Sequence, residues 1–230
     1  MEAEDVRAKY EAELARRAAN EEQTGRRPVG RPPKLKRPTK NSLVANPTDP
    51  DSRVMKRQYT YLQGYNAQAV VSEDHIILAA TITQDTVDLH QLHPMLHQAR
   101  ANLAAAGISK TIGVALADSG YYSEANLATA EQEGPELLVA VVNERDQRRG
   151  EVSGKGVFKG PRGRVMQDRL ATERTTYAKR AHTVEPVFGH IKDVRRVRRF
   201  ARRGLGACDV EWKLVCATHN LLKLWRNSRT

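Results

Sequence analysis

The stretch ALADSGYYSEANL, residues 115–127, carries an acidic residue at the point where an apolar strand is predicted to end. Residues 112–117 form a short apolar run, which is typical of a buried strand. Asp118 follows directly, then a glycine and two tyrosines, and a helix is predicted from Ser123. Active-site groups of α/β sheets collect at the carboxyl ends of strands. Asp118 is therefore a candidate catalytic residue, although capping of the next turn by Asp118 or Ser119 would also explain an acid here.

The charge of the chain is strongly basic and unevenly distributed. The 230 residues carry a formal net charge of +11 with a pI of about 9.9, which points to a polyanionic partner, most simply nucleic acid. Residues 26–40 contain seven Lys or Arg and no acid, and residues 161–230 contain 17 Lys or Arg against 6 acids. Residues 66–144 reverse the balance, with 10 acids against 2 bases. This pattern fits a metal-dependent site acting on a polyanion, and it equally fits a globular domain with basic tails.

Predicted elements alternate in type over the middle of the chain. Two strand-like runs, 59–62 and 67–71, precede a stronger strand pattern at 76–83. A helical face follows, made of Leu89, Leu92, Leu96, Ala99 and Leu103. The apolar strand described above comes next, then a helix over 123–133 and a strand over 136–142. This order predicts an α/β fold with a mixed sheet flanked by helices.

The first 45 residues are predicted to form a separate segment. Residues 4–22 have the pattern of a charged helix, and GRRPVGRPPKLKRPTK at 25–40 excludes regular structure. Within it, Gly30-Arg31-Pro32 resembles an AT-hook, an extended basic segment that lies in a narrow A·T-rich minor groove. A plain basic linker is the alternative. The compact domain is predicted over residues 46–230.

The C-terminal part is predicted to be helical and basic. YAKRAHTVEPVFGHIK, residues 177–192, places Glu185 in a basic helical region, with Lys192 two turns further along the same face if the helix continues. Pro186 predicts either the first turn of a new helix or a kink.

Two more helical patterns close the chain. In the first, Val194, Val197 and Ala201 mark an apolar face. Arg195, Arg199 and Arg202 share its opposite side, a register that suits phosphate contact or a solvated face. The second is a helix over 210–225 that is predicted to bury Leu214, Leu221, Leu222 and Leu224.

Four blocks of the sequence together resemble DDE transposases of bacterial insertion sequences. ALADSGYYSEANL resembles the strand that carries the second catalytic aspartate of that family. TVEPVFGHIK resembles the glutamate motif, in which Tyr, Arg, Glu and Lys recur at set distances. GYNAQAVVSEDHIILAATITQDTVDLHQLHPML resembles the strand pair and helix that precede the aspartate, and VCATHNLLKL resembles the closing helix. The likeness covers roughly residues 46–224, with the blocks in the family's order.

This resemblance implies an RNase H-like fold in which three carboxylates hold two Mg²⁺ or Mn²⁺ ions for DNA strand cleavage and transfer. Asp118 would be the second metal-binding aspartate and Glu185 the metal-binding glutamate, both catalytic. The DNA-binding residues expected are Tyr177, Arg180, Lys192, Arg195, Arg199, Arg202 and Arg31. The implied partner is double-stranded DNA at transposon ends, bound by a homodimer in the cytoplasm at the nucleoid.

Two departures from the family pattern matter. Four residues separate Arg180 from Glu185 where the family has three, and five positions turn a helix by about 140°, so a simple helix would not place both on one face. The Asp-Gly-Thr-like strand that carries the family's first aspartate has no counterpart in the sequence. Asp49 and Asp51 are weak substitutes, because their Pro-flanked stretch starts no obvious strand and suits a turn.

We therefore predict the C-terminal portion of a transposase catalytic domain, incomplete at its N-terminal strand and severely reduced in metal affinity and cleavage. One alternative is a catalytically inactive DNA-binding remnant, or a modulator of a full-length transposase. Another is a basic RNA-binding protein, which would be expected to stack bases on aromatic side chains. Aromatic residues make up only 5% of the chain, which disfavours that alternative.

Other residues that can carry chemistry have simpler explanations. His90, His93 and His97 share a helix face that mimics a metal site, but surface positions explain them. Asp88 suits an N-cap of the same helix. The two cysteines lie eight residues apart in one predicted helix, which suggests neither a disulfide framework nor a zinc site. No apolar stretch approaches the ~20 residues of a membrane span, so no membrane partner is predicted.

Overall fold

The computed structural model describes residues 3–25, 33–34, 46–57, 60–141 and 160–229. The chain divides into two units, Met1–Val44 and Ala45–Thr230. The first unit contains helix α1, Ala3–Thr24, where a charged helix was expected. Arg31 and its AT-hook-like motif lie outside the described residues, so that interpretation stays a prediction.

The second unit holds six strands and five α-helices among its described residues. In chain order these are β1 (Arg53–Arg57), β2 (Thr60–Gly64), β3 (Asn66–Val71), β4 (Ile77–Thr83), α2 (Leu92–Ala105), β5 (Val114–Ala117), α3 (Glu124–Glu133), β6 (Glu136–Val139), α4 (Pro161–Thr172), α5 (Arg174–Gly189) and α6 (Leu205–Asn227). The order from β3 to β6 agrees with the sequence analysis, while β1 is an additional strand. Among the described helices, none is both long and apolar enough to cross a membrane.

The strands form three two-stranded sheets, not the one mixed sheet that was predicted. β1 pairs with β2 and β3 with β4, both antiparallel, and β5 pairs with β6 in parallel. The β3–β4 register aligns Gln68 with Thr81, and the β5–β6 register aligns Ala117 with Val139. No described strand hydrogen-bonds to both β3–β4 and β5–β6, so helices have to connect these two pairs.

Helix α2 packs against both strand pairs. Its residues Leu92 and Leu96 lie in one buried cluster with Leu138 of β6, whereas Met95 and Ala99 pack with Ala79 of β4. Helix α5 also contacts both strand pairs. Val187 packs with side chains of β4 in a third cluster, and Tyr177 packs against the cluster of β6. We conclude that α2 and α5 each join β3–β4 to β5–β6.

Helix α6 covers β3–β4 and also closes the outer edge of β4. The side chain of Asp209 accepts a hydrogen bond from Ile82 N at 3.0 Å. Asn220 accepts from Ile77 N and donates to Ile77 O, both at 2.8 Å. These bonds satisfy backbone groups that an unpaired edge would leave open. The other edge of this pair, along β3, has no strand partner among the described residues.

The buried face of α6 differs from the predicted one, and of the four leucines expected in the core only Leu222 is partly buried. Its buried residues are Cys208, Trp212, Val215, Cys216 and His219. Leu214, Leu221 and Leu224 are instead 63%, 64% and 57% exposed, so the prediction that they enter the core is wrong. The reason is that Trp212 stacks on Phe188 at 5.9 Å and donates its Nε1–H to Gln68 O, which fixes the rotation of the helix.

The prediction of a helix with an arginine face is also wrong. Residues 195–204 are irregular, with Arg196 in the left-handed region at φ 58° and Val194 71% exposed. Side chains from other elements accept hydrogen bonds from backbone N–H groups of this segment. Glu211 accepts from Ala201 N at 2.8 Å and Arg202 N at 2.9 Å, so this segment does not need helical bonds there.

Candidate active site

Asp118 lies at the carboxyl end of β5, as the sequence predicts. Its backbone is extended, and its Oδ1 accepts a hydrogen bond from Gly120 N at 2.9 Å, capping the 3-10 turn Ser119–Tyr121. The capping interpretation is therefore confirmed, and the residue also ends a strand, while its catalytic role stays a prediction. The side chain is exposed, and no described residue donates a hydrogen bond to its Oδ2. One carboxylate oxygen of Asp118 is thus available to a ligand.

A second carboxylate, Asp88, lies beside Asp118. A Cβ built on Gly120 would lie 3.0 Å from Asp118 Oδ1 and 3.0 Å from Asp88 Oδ2. The two oxygens are therefore no farther apart than twice that distance, and any larger residue at 120 would make tight contacts with both. Hard oxygen donors arranged in this way suit Mg²⁺ or Mn²⁺.

The side chain of Asp88 is held by two side-chain amides of β3 and does not cap α2. Its Oδ1 accepts from Asn66 Nδ2 and from Gln68 Nε2, each at 2.7 Å. Helix α2 begins after Gln91 and has no side-chain cap, so the predicted N-cap role of Asp88 is wrong. The orientation of Asp88 instead depends on Gln68, which is only 3% exposed.

Tyr121 completes this polar cluster. Its hydroxyl donates to Gln68 Oε1. Burial, followed by the negative charges of Asp88 and Asp118, raises the pKa of Tyr121 well above its usual value, and its hydrogen bond to Gln68 offsets this only in part. Tyr121 is consequently a neutral donor next to two acids over the whole physiological pH range.

Sequence analysis missed Asn66 and Gln68, although the sequence carries a signal for both. They are polar residues two positions apart in a strand, so they share the face that further along carries Val70. Polar side chains on a buried strand face need partners. That requirement could have linked them to a nearby carboxylate.

Helix α5 approaches β5 through Tyr177. The Tyr177 hydroxyl donates to Ala117 O at 3.0 Å, directly before Asp118. The guanidinium carbon of Arg180 lies 5.7 Å from the centre of the Tyr177 ring, as expected for residues three apart on a helix. The structure thus brings both predicted DNA-binding residues close to the end of the strand that carries Asp118.

Glu185 lies on the same helix, farther from Asp118. It follows Tyr177 by eight residues, which is about 12 Å along a helix axis. Its side chain is exposed, and no hydrogen bond or ion pair of the described residues involves its carboxylate. In the same described part of the chain, no group of three or more His, Cys, Asp or Glu is placed to hold a metal ion.

Pro186 lies inside α5 and does not start a new helix. Because proline has no N–H, the carbonyl of His182 loses its helical partner. The ring Nε2 of His75 lies 2.9 Å from His182 O and replaces that partner. The turn between β3 and β4 therefore supports the helix at the position where it would otherwise be weakest.

Lys192 lies in a π-helical segment, His190–Val194, that continues α5. The N–H of Arg195 bonds to His190 O, five residues back, which widens this turn. Glu185 and Lys192 are therefore not separated by two regular α turns, as the sequence analysis assumed. Lys192 Nζ lies 5.0 Å from the centre of the Phe188 ring and is exposed.

The three predicted arginines beyond Lys192 have different surroundings. Arg195 donates to Val215 O at 2.8 Å and to Thr218 Oγ1 at 2.6 Å, which ties the irregular segment to α6. Arg199 and Arg202 have exposed side chains. Only these two present their charge outward in the way that phosphate contact requires.

The aspartates considered as substitutes for a third ligand have structural partners. Asp49 accepts from Tyr65 Oη at 2.7 Å and from Gly204 N at 3.2 Å. Asp51 accepts from Leu205 N at 3.0 Å at the start of α6. These contacts fit the interpretation that both residues shape a turn.

The histidines of α2 and its approach have similar explanations. His93 Nε2 lies 3.1 Å from Asn126 O, and His90 Nδ1 lies 3.3 Å from Asp85. His97 is exposed. Nothing in the part of the chain that the structure describes joins these three residues to a shared ligand site.

An α/β layer with acidic side chains at a strand end, next to a basic helical region, is the arrangement expected of a metal-dependent enzyme acting on nucleic acid. Residues 43–221 match the family model described as the transposase DDE domain. The chain therefore belongs to the DDE transposase family, whose general function is DNA transposition. No curated protein and no solved structure matches the chain.

Proposed function

We propose that this chain contributes the second aspartate and the glutamate of a DDE transposase that cleaves and joins DNA strands at transposon ends in the cytoplasm. The observation that supports this most directly is Asp118, which ends β5 with one oxygen available, in a chain of this family. Tyr177 and Arg180 lie next to it on a basic helix. The proposed metal ligands are Asp118 and Glu185.

In this proposal the protein holds two Mg²⁺ or Mn²⁺ ions through hard carboxylate oxygens. When bound, such ions activate a water or a DNA 3′-hydroxyl and stabilise the attacking and leaving oxygens. Asp88 and Gln68 hold the neighbourhood of Asp118 in place, and Tyr177 positions the start of α5. Lys192, Arg199 and Arg202 contact phosphates, while Arg195 serves to hold the segment that carries the last two.

A third carboxylate is needed to complete the site. The outer edge of β3 and that of β5 both have no strand partner among the described residues, and α2 and α5 each pack against both strand pairs. We propose that the strand carrying the first aspartate pairs with these two edges. The described part of this chain is then inactive by itself and gains activity only when that strand is supplied.

A cleavage assay tests whether the chain needs a further strand for activity. The full chain is incubated with supercoiled plasmid in Mg²⁺ or Mn²⁺, together with Asp118→Asn and Glu185→Gln. Matched controls are Asp74→Asn and Glu133→Gln, which remove exposed carboxylates of the same types elsewhere. We expect no metal-dependent nicking by any of these proteins. Nicking that is lost only in Asp118→Asn and Glu185→Gln would confirm the two ligands and contradict the requirement for a further strand.

The second candidate function is DNA binding without chemistry, as a remnant or as a modulator of a full-length transposase. The exposed charges of Arg199 and Arg202 favour it. Alanine at either position should reduce the slope of log affinity against log salt by about 1, since each phosphate contact releases about one counterion. Arg100→Ala is the control, because Arg100 donates to Glu133 O within the acidic part of the chain. Equal slopes in all these variants would remove both arginines from the interface.

A further inference from the structure

The two-stranded ribbon formed by β1 and β2 stands apart from the core of the domain. Among the described strands, these two pair only with each other. None of their residues belongs to a buried hydrophobic cluster, and Val54 and Tyr61 are 50% and 71% exposed. A pair of strands on its own is at best marginally stable in water. The β1–β2 ribbon therefore suits contact with a partner.

One face of the ribbon carries a positive charge beside a tyrosine. The β1–β2 register aligns Lys56 with Tyr61 and Val54 with Gln63. Residues directly opposite each other in an antiparallel pair point to the same side, as do residues two positions apart along a strand. Lys56 and Tyr61 are both exposed, and neither side chain forms a hydrogen bond or an ion pair with the described residues. Both side chains are thus available to a ligand.

The charge and the distribution of apolar side chains favour nucleic acid as the partner of the ribbon. Residues 53–72 contain three Lys or Arg and no acid. Val54 lies on the face of Lys56, whereas Leu62 lies on the opposite face, so neither side has the continuous apolar patch that a protein partner would cover. The major groove of B-DNA admits a two-stranded β-ribbon. Lysine and tyrosine side chains both donate hydrogen bonds to phosphate oxygens.

The turn before β1 connects the ribbon to the arginine-rich segment after α5. Ser52 Oγ donates to Gln63 Oε1 at 3.1 Å, which fixes the base of the ribbon on the face that carries Lys56. In the same turn, Asp49 accepts from Gly204 N at 3.2 Å. Residues 195–203 lie directly before that glycine and carry six arginines. The ribbon and this basic segment are therefore supported by one turn.

The ribbon is also connected to the polar cluster around Asp118. β2 ends at Gly64, and β3 begins two residues later at Asn66, whose side chain donates to Asp88 at 2.7 Å. Asp88 in turn lies beside Asp118. The base of the ribbon thus adjoins both the candidate active site and the basic segment that is proposed to contact phosphates.

We propose that the β1–β2 ribbon is a further DNA-binding element, in which the face of Lys56 and Tyr61 lies against the phosphates of duplex DNA next to the active site. This inference rests on the proposed function, which makes DNA the substrate, and it adds a surface outside the motif residues. Lys56 neutralises one phosphate, and the Tyr61 hydroxyl donates to a phosphate oxygen. Such contacts carry no sequence information, so the ribbon adds affinity and orientation to DNA of any sequence.

Fluorescence anisotropy with a labelled duplex, without divalent metal and at about 50–200 mM salt, measures the affinity and its salt dependence. Lys56→Gln should reduce the slope of log affinity against log salt by about 0.9, the value of one phosphate contact. Tyr61→Phe removes only the hydroxyl and should weaken binding about threefold to tenfold, the range of one hydrogen bond. Both positions are exposed, and a thermal unfolding curve checks that each variant folds.

Two matched controls separate this face from the rest of the surface. Leu62→Thr alters the neighbour of Tyr61 on the opposite face of the ribbon, and threonine preserves the strand. Lys110→Gln removes an exposed lysine in the acidic part of the chain. Both control variants should bind DNA as the wild type does. A loss in Leu62→Thr equal to that in Tyr61→Phe would contradict the assigned face.

Lysine acetylation of the wild-type chain, read by mass spectrometry, gives a second readout. Saturating duplex should protect Lys56 and leave Lys110 as reactive as before. Unchanged binding by Lys56→Gln and Tyr61→Phe, with Lys56 unprotected, would overturn the inference and assign this face to a protein partner. If Arg199→Ala and Arg202→Ala still lower the salt slope in that case, DNA binding by the chain stands without the ribbon. A wild-type chain with no affinity for duplex DNA would contradict both proposals.

Discussion

The strand pairs β3–β4 and β5–β6 are stabilised in different ways. β3–β4 is antiparallel and longer, and one of its edges is closed by polar side chains of α6. β5–β6 is parallel, with four residues in each strand, and its side chains Leu138 and Val139 are fully buried. Parallel strands depend on being covered on both faces. The comparison indicates that polar contacts from α6 add to the buried side chains of the first pair, whereas the second pair, which carries Asp118, depends mainly on its buried side chains.

The largest effect is expected from Trp212→Ala. Trp212 is 4% exposed, stacks on Phe188 and donates to Gln68 O, so its loss leaves a cavity between α6 and β3–β4. The free energy of unfolding should fall by about 3–5 kcal/mol in urea titrations. Trp225→Ala on the same helix, where the ring is 54% exposed, should change it by less than about 0.5 kcal/mol in the dilute monomer. Similar losses from both variants would contradict the assigned rotation of α6.

Leu138→Ala tests the second pair. Leu138 is 0% exposed in the cluster that also holds Leu92 and Leu96 of α2. Truncation should cost about 2–5 kcal/mol of unfolding free energy. Because α2 packs on both pairs, a single cooperative transition is expected by circular dichroism and by tryptophan emission. Two separate transitions would show that the pairs are independent units.

A smaller loss is expected from Asn220→Ala. This substitution leaves Ile77 N and Ile77 O without their side-chain partner at the edge of β4. Backbone groups left unsatisfied in this way cost about 1–3 kcal/mol. Asn227→Ala, at the exposed end of the same helix, is the control and should be neutral. If the two variants are equally stable, then α6 does not close that edge.

The smallest change in the free energy of unfolding is expected from mild acid, through two histidines at the contact between α6 and the segment that follows α5. Burial, together with neighbouring positive charge, lowers the pKa of His190 below its ordinary 6.5, and burial is also the main cause that lowers the pKa of His219. The Nδ1 atoms of His190 and His219 lie 3.2 Å apart, so these two facing nitrogens cannot both carry a proton. At these two histidines the folded state binds fewer protons than the unfolded chain. The free energy of unfolding is therefore highest above pH 6.5 and falls as the pH drops below that value.

Urea titrations at pH 7.5 and pH 5.5 measure this loss. His190→Gln should reduce the difference between the two pH values, because it removes one of the two coupled rings. His97→Gln, which alters an exposed histidine of α2, should leave the difference unchanged. A wild-type protein that is equally stable at both pH values would remove the buried histidines as a source of acid sensitivity.

Sequence patterns predicted those features of the molecule that depend on a single hydrophobic period or a single motif. The strand before Asp118, the helix starting after Ser123 and the face of Leu92, Leu96 and Ala99 on α2 follow from local alternation and spacing. The order of the four motif blocks was sufficient to predict the family. A glycine after a helical pattern is a common signal of a helix end, and Gly107, which follows α2, adopts φ 72°.

Other features depended on contacts that no local pattern encodes. Asp88 looked like a helix cap because it precedes α2, but two amides of β3, about twenty residues earlier, bind its carboxylate. Arg195 looked like one of three equivalent arginines, but carbonyl and hydroxyl groups of α6 bind it. In both cases the partner is distant in sequence and chosen by the packing of whole elements.

The sequence by itself determined the family, the position of Asp118 at a strand end and the basic character of the C-terminal part, because these depend on residue type and order. Only the tertiary structure decided which face of α6 is buried, which residues surround Asp118 and which strand edges have no strand partner among the described residues. The physical reason is clearest in α6, which has two apolar faces. Periodicity cannot choose between them, whereas the hydrogen bond from Trp212 to β3 and those of Asp209 and Asn220 to β4 can.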